Sequence, residues 1–200
     1  MLLKIYPQNP NLKAIEQVVN ILNNDGVIIY PTDTVYAFGC SLRSPKAVER
    51  LKIIKTRKTN MSVICPDISC ISAYTKIDTP VFKLLKRNLP GPFTFILNAS
   101  GKVPDKFLEK RKTIGVRIPE NGIVSAIVEL LGGPLITTSV KDPDEVIEYT
   151  TDPELIHERY GSIVDIVIDG GYGNNEASTV VDCTGDEPEI IRQGIGELIY

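Results

Sequence analysis

Val27 to Tyr30 are four consecutive β-branched or aromatic residues with no polar residue between them. A strand with one solvated face alternates, whereas a strand without alternation is covered on both faces, and that requires a sheet with helices packed against it. The run stops at Pro31, which cannot donate to a sheet ladder, so the chain leaves the sheet there. Thr32, Asp33 and Thr34 then stand at the carboxyl end of a strand, where open α/β sheets commonly bind ligands. The same side chains also suit an Asx or hydroxyl turn that caps loose backbone groups, and the residues alone leave both readings standing.

Around this strand, periodicity predicts alternating helices and strands. Ile15, Val18, Val19 and Leu22 fall at helical spacing within Asn11 to Asn24, and Asp25-Gly26 supplies the stop. Ser44 and Pro45 read as N-cap and first residue of a helix running to about Lys55. Further helices are predicted at Thr79 to Asn88, Gly122 to Leu131 and Pro153 to Tyr160. Strands are predicted at Met61 to Cys65, Thr94 to Leu97, Thr113 to Ile118, Leu135 to Ser139, Ile163 to Asp169, Ser178 to Asp182 and Glu189 to Arg192. The pattern predicts an α/β fold, and the short spacings toward the C-terminus predict some antiparallel pairing. With no repeat, linker or low-complexity tract, residues 1–200 are expected to form one domain.

The 200 residues, 42% apolar and 24% charged, suffice for a substantial core. No run approaches the length of a membrane span, and the first residues lack the pattern of a secretory signal, so a cytoplasmic protein without membrane association is expected. Cys40, Cys65, Cys70 and Cys183 show neither CxxC nor paired metal-ligand spacing, which favours free thiols and no protein-held metal. His157 is the one histidine, placed on an exposed helix, so familiar histidine-based chemistry has no candidate.

The basic residues are more informative by position than by number, because net charge is only -3. Ala47, Val48, Leu51 and Ile54 define an apolar helix face whose centre lies within about 50° of Lys55, so Lys55 is expected to point inward. With Arg57 just beyond, "KTR" reads either as a phosphate-binding pair or as a basic turn that complements the helix dipole. In "KTIGVRIP", Ile114, Val116 and Ile118 are placed on the core face. Thr113 and Arg117 then share the opposite face with Gly115, over which a ligand can approach closely.

The stretches "GVIIYPTDTVYAFGC", "KTR", "PGPFTFIL", "KTIGVRIP", "GGPLITTSV", "STVVD" and "IRQG", in this order, resemble the YrdC and YciO proteins, whose best-known members are threonylcarbamoyl-AMP synthases. The likeness covers nearly the whole chain and is greatest to the YciO branch. It implies a twisted mixed parallel and antiparallel sheet flanked by helices, with a large concave basic cavity and no additional C-terminal domain. It further implies binding of ATP, L-threonine and bicarbonate with Mg2+, formation of threonylcarbamoyl-AMP and pyrophosphate, and a link to threonylcarbamoyladenosine modification of tRNA.

By the same resemblance, Thr34 and Ser178 meet the substrate and Arg117 holds the threonine carboxylate. Thr113, Ser139 and Arg192 meet the nucleotide, while Lys55 and Arg57 serve both nucleotide phosphate and catalysis. The chain departs from the synthase pattern in "KTNMSVIC" after "KTR", in the acidic "DPDEVIE", and most at Lys141: in "SVK" it stands where synthases read asparagine, and an ammonium adds charge and length where a neutral donor and acceptor is usual. Two functions follow, an enzyme of threonylcarbamoyl-AMP chemistry and a module binding double-stranded RNA or tRNA through the same cavity without turnover.

Overall fold

The computed structural model describes residues 1–55, 61–140 and 148–200. The chain opens with β1 (Leu2–Lys4), α1 (Leu12–Asn23), β2 (Val27–Tyr30), β3 (Ala37–Ser41) and α2 (Pro45–Ile54). It continues with β4 (Ser62–Ile64), α3 (Ile68–Tyr74), β5 (Thr75–Lys76), α4 (Thr79–Asn88), β6 (Phe93–Ala99), α5 (Asp105–Leu108) and β7 (Thr113–Arg117). The remainder is α6 (Gly122–Leu131), β8 (Leu135–Ser139), α7 (Glu148–Thr151), α8 (Pro153–Tyr160), β9 (Ile166–Asp169), β10 (Thr179–Asp182) and β11 (Glu189–Arg192).

Local chemistry accounts for the helix ends. Asn11 accepts from the Ala14 amide at the start of α1, and Ser44 accepts from the Ala47 amide at 3.0 Å with Pro45 behind it, each cap being worth about 1 kcal/mol. At the other end of α1, Asp25 rather than Gly26 takes the left-handed conformation, at φ 63°. Gly26 is required for a different reason: a Cβ there would stand 2.5 Å from the Ile21 carbonyl oxygen.

The strands form one mixed sheet in the order β1-β9-β2-β3-β8-β4-β7-β6-β10-β11, with β5 beside β6. β9 is parallel to both β1 and β2, β4 to β7, and β6 to β10, while the other pairs are antiparallel. The mixed sheet predicted from the spacings is therefore present. No helix of the described residues is long and apolar enough to cross a membrane.

Two cores lie on the two faces of this sheet. On one, Phe38, Val63, Phe95 and Val116 pack with Leu51 of α2, Leu85 of α4 and Ile156 of α8. On the other, Ile28, Tyr30, Ile64 and Leu135 pack with Val18 and Leu22 of α1 and Ile123 and Ile127 of α6. Both faces of β2 are thus covered, and its four residues are fully buried, as the unbroken apolar run requires. Ile64 and Leu135 are paired neighbours beneath the second core, and two residues along the same face come Ser62 and Thr137, also paired. There the apolar cover ends, and both line a cavity.

Candidate functional site

The cavity has a volume of about 490 Å³, in the range of small-molecule sites. Its wall is built from side chains that alternate outward from the first core: Ala37, Ser62, Gly115, Thr94 and Thr137 are all small. Large apolar neighbours such as Phe38, Val63, Val116 and Phe95 point the opposite way. The alternation thus creates space on one face. Gly115 is the tightest point, since a Cβ there would lie 2.5 Å from Ser62 Oγ and 3.2 Å from Thr94 Cγ2. Gly39 similarly lets the Tyr30 ring lie across β3, so that Tyr30 donates its hydroxyl to Thr137 Oγ1 at 2.7 Å. Burial raises the Tyr30 phenol above its ordinary pKa, which keeps it a neutral donor.

The polar lip after β2 is a built structure. Thr32 donates its hydroxyl to the Val35 carbonyl at 2.7 Å and accepts from the Thr34 amide at 3.1 Å, so the turn reading holds for Thr32. Thr34 lines the cavity. Arg117 Nη2 donates to Thr34 Oγ1 at 3.1 Å and to Asp33 Oδ1 at 2.8 Å, while Asp33 Oδ2 accepts from the Glu120 amide at 3.0 Å. The sequence gives Asp33 no separate role; its partner lies 84 positions away, and no local pattern signals the pair.

Arg117 therefore reaches the cavity already paired with a carboxylate. Burial raises Asp33 above its ordinary value even though Arg117 opposes this, and burial lowers Arg117 from its ordinary value. Nε of Arg117 is buried with no hydrogen-bond partner among the described residues. An unmade bond on a buried guanidinium is costly. Nη2 of Arg117 is already engaged by Asp33 and Thr34.

Across the cavity, Arg192 donates from Nη2 and Nε to the Ser178 carbonyl at 2.7 and 3.3 Å, and Ser178 Oγ lies 2.8 Å from Thr94 Oγ1. Burial first, and then the charge of Arg117, hold Arg192 below its ordinary value. Thr113 and Ser139 also line the cavity. The site thus brings together Thr34, Thr113, Arg117, Ser139, Ser178 and Arg192 from well-separated stretches of the chain.

Lys55 is elsewhere. It caps α2 and is 8% exposed, as its inward setting predicted, but its ammonium lies 5.6 Å from the centre of the Phe38 ring, on the side of β3 opposite Ala37. It is not part of the described cavity wall. Arg57 and Lys141 lie outside the described residues. His157 is half-buried on α8, also away from the described wall, and all four cysteines are free thiols. Sequence reasoning does not single out Arg111, which lines the cavity beside Thr113.

Comparison with known proteins gives a consistent result. The family model Sua5/YciO/YrdC, described as telomere recombination, matches residues 20–194. The uncharacterized protein YciO of Escherichia coli K12 is 42% identical over 198 residues, 97% of this chain and 95% of its own. A putative threonylcarbamoyl-AMP synthase of Methanocaldococcus jannaschii is 31% identical, over 97% of this chain and 93% of its own. The crystal structure of E. coli YciO superposes with a TM-score of 0.92 over 98% of this chain and 97% of that one. P. abyssi Sua5 complexed with L-threonine superposes at 0.87 over 97% of this chain and 57% of that one; at 24% identity this likeness concerns the fold.

Proposed function

The chain belongs to the Sua5/YciO/YrdC family, and from that premise we propose that its cavity binds ATP and L-threonine and carries out threonylcarbamoyl-AMP chemistry linked to tRNA modification. The observation that carries this reading is the buried Nε of Arg117, without a partner among the described residues, in a cavity of about 490 Å³ walled by hydroxyls. A guanidinium donor there suits a carboxylate, and Thr34 and Ser178 offer hydroxyls to the rest of a small amino acid. The volume suits small molecules and is far below that of a duplex, which favours the enzyme over the RNA module.

In the proposed reaction the threonine amine first joins bicarbonate, with loss of water, to give a carbamate. A carbamate oxygen then forms a bond to the α-phosphorus of ATP as the bond to the pyrophosphate oxygen breaks. No nucleophilic side chain is needed, and holding two bound reactants in line supplies up to about 7–11 kcal/mol of the barrier. Arg117 orients the amino acid, while Thr113, Ser139 and Arg192 orient the nucleotide, and Arg192 faces the charge that grows on the leaving group. Lys55 joins them only by leaving the Phe38 ring.

The described wall offers hydroxyl groups but no carboxylate, and the described residues contain no cluster of three or more histidine, cysteine or acidic side chains. That donor set fits a hydrated Mg2+ held through substrate phosphates rather than a protein cage. Such an ion supplies charge neutralisation at the phosphates. Pyrophosphate release measured with ATP, L-threonine, bicarbonate and magnesium tests the reading. Release that requires all three substrates supports it; no release together with no calorimetric binding of ATP or threonine overturns it.

A further inference from the structure

Three arginines line the described cavity, and they differ in what neutralises them. Arg117 is matched by Asp33 at 2.8 Å. Arg192 is bound to the carbonyl and hydroxyl of Ser178. Arg111 donates from Nε to the Leu108 carbonyl at 3.0 Å and from Nη2 to the Phe107 carbonyl at 3.1 Å, with its guanidinium 5.6 Å from the centre of the Phe107 ring. Neither Arg111 nor Arg192 has a carboxylate within ion-pair distance among the described residues. Their positive charge is therefore offered to the cavity.

Arg111 is also rigid. Two of its nitrogens are fixed by backbone carbonyls at the end of α5, so its plane is set before any ligand arrives and little side-chain entropy is lost on binding. Backbone capping uses Nε and Nη2, whereas Nη1 makes no hydrogen bond among the described residues. Thr113 and Arg117 share a face of β7 and are separated by about 13 Å of strand, and Arg111 precedes Thr113. Arg111 thus marks the end of the cavity remote from the Arg117–Thr34 lip.

We infer that Arg111 is a fixed anchor for a phosphate group of the bound nucleoside triphosphate beyond its α-phosphate, at the end of the cavity opposite Arg117. The inference rests on the nucleotide reading above and adds to it the residue that distinguishes a triphosphate from a monophosphate. A lysine cannot replace it, because an ammonium cannot hold two carbonyls and still present a fixed edge.

The experiment is calorimetric titration of ATP and of AMP, each with magnesium, into the wild type, Arg111→Gln and Arg111→Lys, with thermal unfolding of each variant alongside. ATP affinity is expected to fall about tenfold or more in both variants, as for a lost charge-assisted bond, while AMP affinity stays within about twofold. Equal losses for ATP and AMP assign Arg111 to the structure of the α5 turn and overturn the inference, as does unchanged ATP affinity. A loss of double-stranded RNA binding larger than the loss for ATP overturns it in favour of a polynucleotide. If the wild type binds neither nucleotide, the nucleotide reading falls and the inference with it, an outcome distinct from wild-type binding that Arg111 substitutions leave intact.

Discussion

Asp33 and Arg117 meet at 2.8 Å with both side chains 8% exposed, and the second carboxylate oxygen of Asp33 takes the Glu120 amide at 3.0 Å. One carboxylate therefore joins the lip after β2 to the arginine of β7 and to the turn that starts α6. Removing one member of such a pair strands the other in a buried place. Arg117→Met is expected to lower stability at pH 7 by about 3–5 kcal/mol, measured by urea unfolding.

The sign of the pH dependence follows from Asp33. Burial holds its folded pKa above the unfolded value of 3.8, and loss of Arg117 removes the opposing influence, so the folded pKa rises further. A group with a raised folded pKa favours folding below its unfolded pKa and loses that contribution as pH rises through the folded one. The deficit of Arg117→Met is thus expected to be smallest near pH 4 and to grow toward pH 7. A deficit that is flat with pH would show that Asp33 finds another partner.

Gly115 tests whether the small wall residues are a packing requirement. In Gly115→Ala the new methyl lies 2.5 Å from Ser62 Oγ but also 3.2 Å from Ser62 Cβ and from Thr94 Cγ2, so turning the hydroxyl relieves only part of the crowding. The substitution is expected to cost about 1–3 kcal/mol. Ser62→Ala in that background recovers part of the loss, giving a non-additive double-mutant cycle in denaturant unfolding. Additive effects would mean that the strands separate rather than the side chains adjusting.

Much of this architecture is legible in the sequence where local preference and tertiary packing agree. Gly122 to Leu131 and Leu135 to Ser139 fall where their apolar patterns place them, because each buries a face its own periodicity declares. β3 is different: Ala37 and Gly39 are weak strand formers that break the apolar run, and pairing with β2 on one side and β8 on the other makes the segment a strand. α3 has its Asp67 cap but is only seven residues long, and Ile68 and Ile71, set among Ser69, Cys70 and Ser72, are too few to declare a helical face.

The site divides in the same way. Thr113, Gly115 and Arg117 share a face through strand alternation, which depends on nothing distant, so the sequence places them together. The pairing of Arg117 with Asp33 joins residues far apart in the chain, and the setting of Arg111 depends on carbonyls of a four-residue helix, α5. Neither leaves a local pattern. Helical phase correctly turns Lys55 inward but cannot say which inward surface it meets, because Phe38 is supplied by a neighbouring strand.

Lys55 over Phe38 is expected to be a real energetic contact. A double-mutant cycle of Lys55→Met and Phe38→Leu in urea unfolding should give a coupling of about 0.5–2 kcal/mol, the range for a cation over an aromatic ring with little water around it. Zero coupling would indicate that the ammonium is held by other groups and that the ring contributes only packing.

The Asp33–Arg117 pair also makes a prediction about binding. An amino-acid carboxylate that takes the Nε of Arg117 approaches a guanidinium whose charge is already matched, and it must accept the nearby Asp33 carboxylate as well. Asp33→Asn removes that repulsion and is expected to raise L-threonine affinity on the order of tenfold at pH 7, while lowering stability because asparagine cannot accept from both Arg117 and the Glu120 amide. Threonine keeps both its charges between about pH 5 and 7, so the ligand itself contributes little to any change over that range. Asp33, raised by burial, takes up its proton at a higher pH than an ordinary carboxylate, so any gain in wild-type affinity as pH falls from 7 to 5 is expected to be absent in Asp33→Asn. Calorimetry of both forms at the two pH values checks this, and parallel slopes would place the titrating group elsewhere.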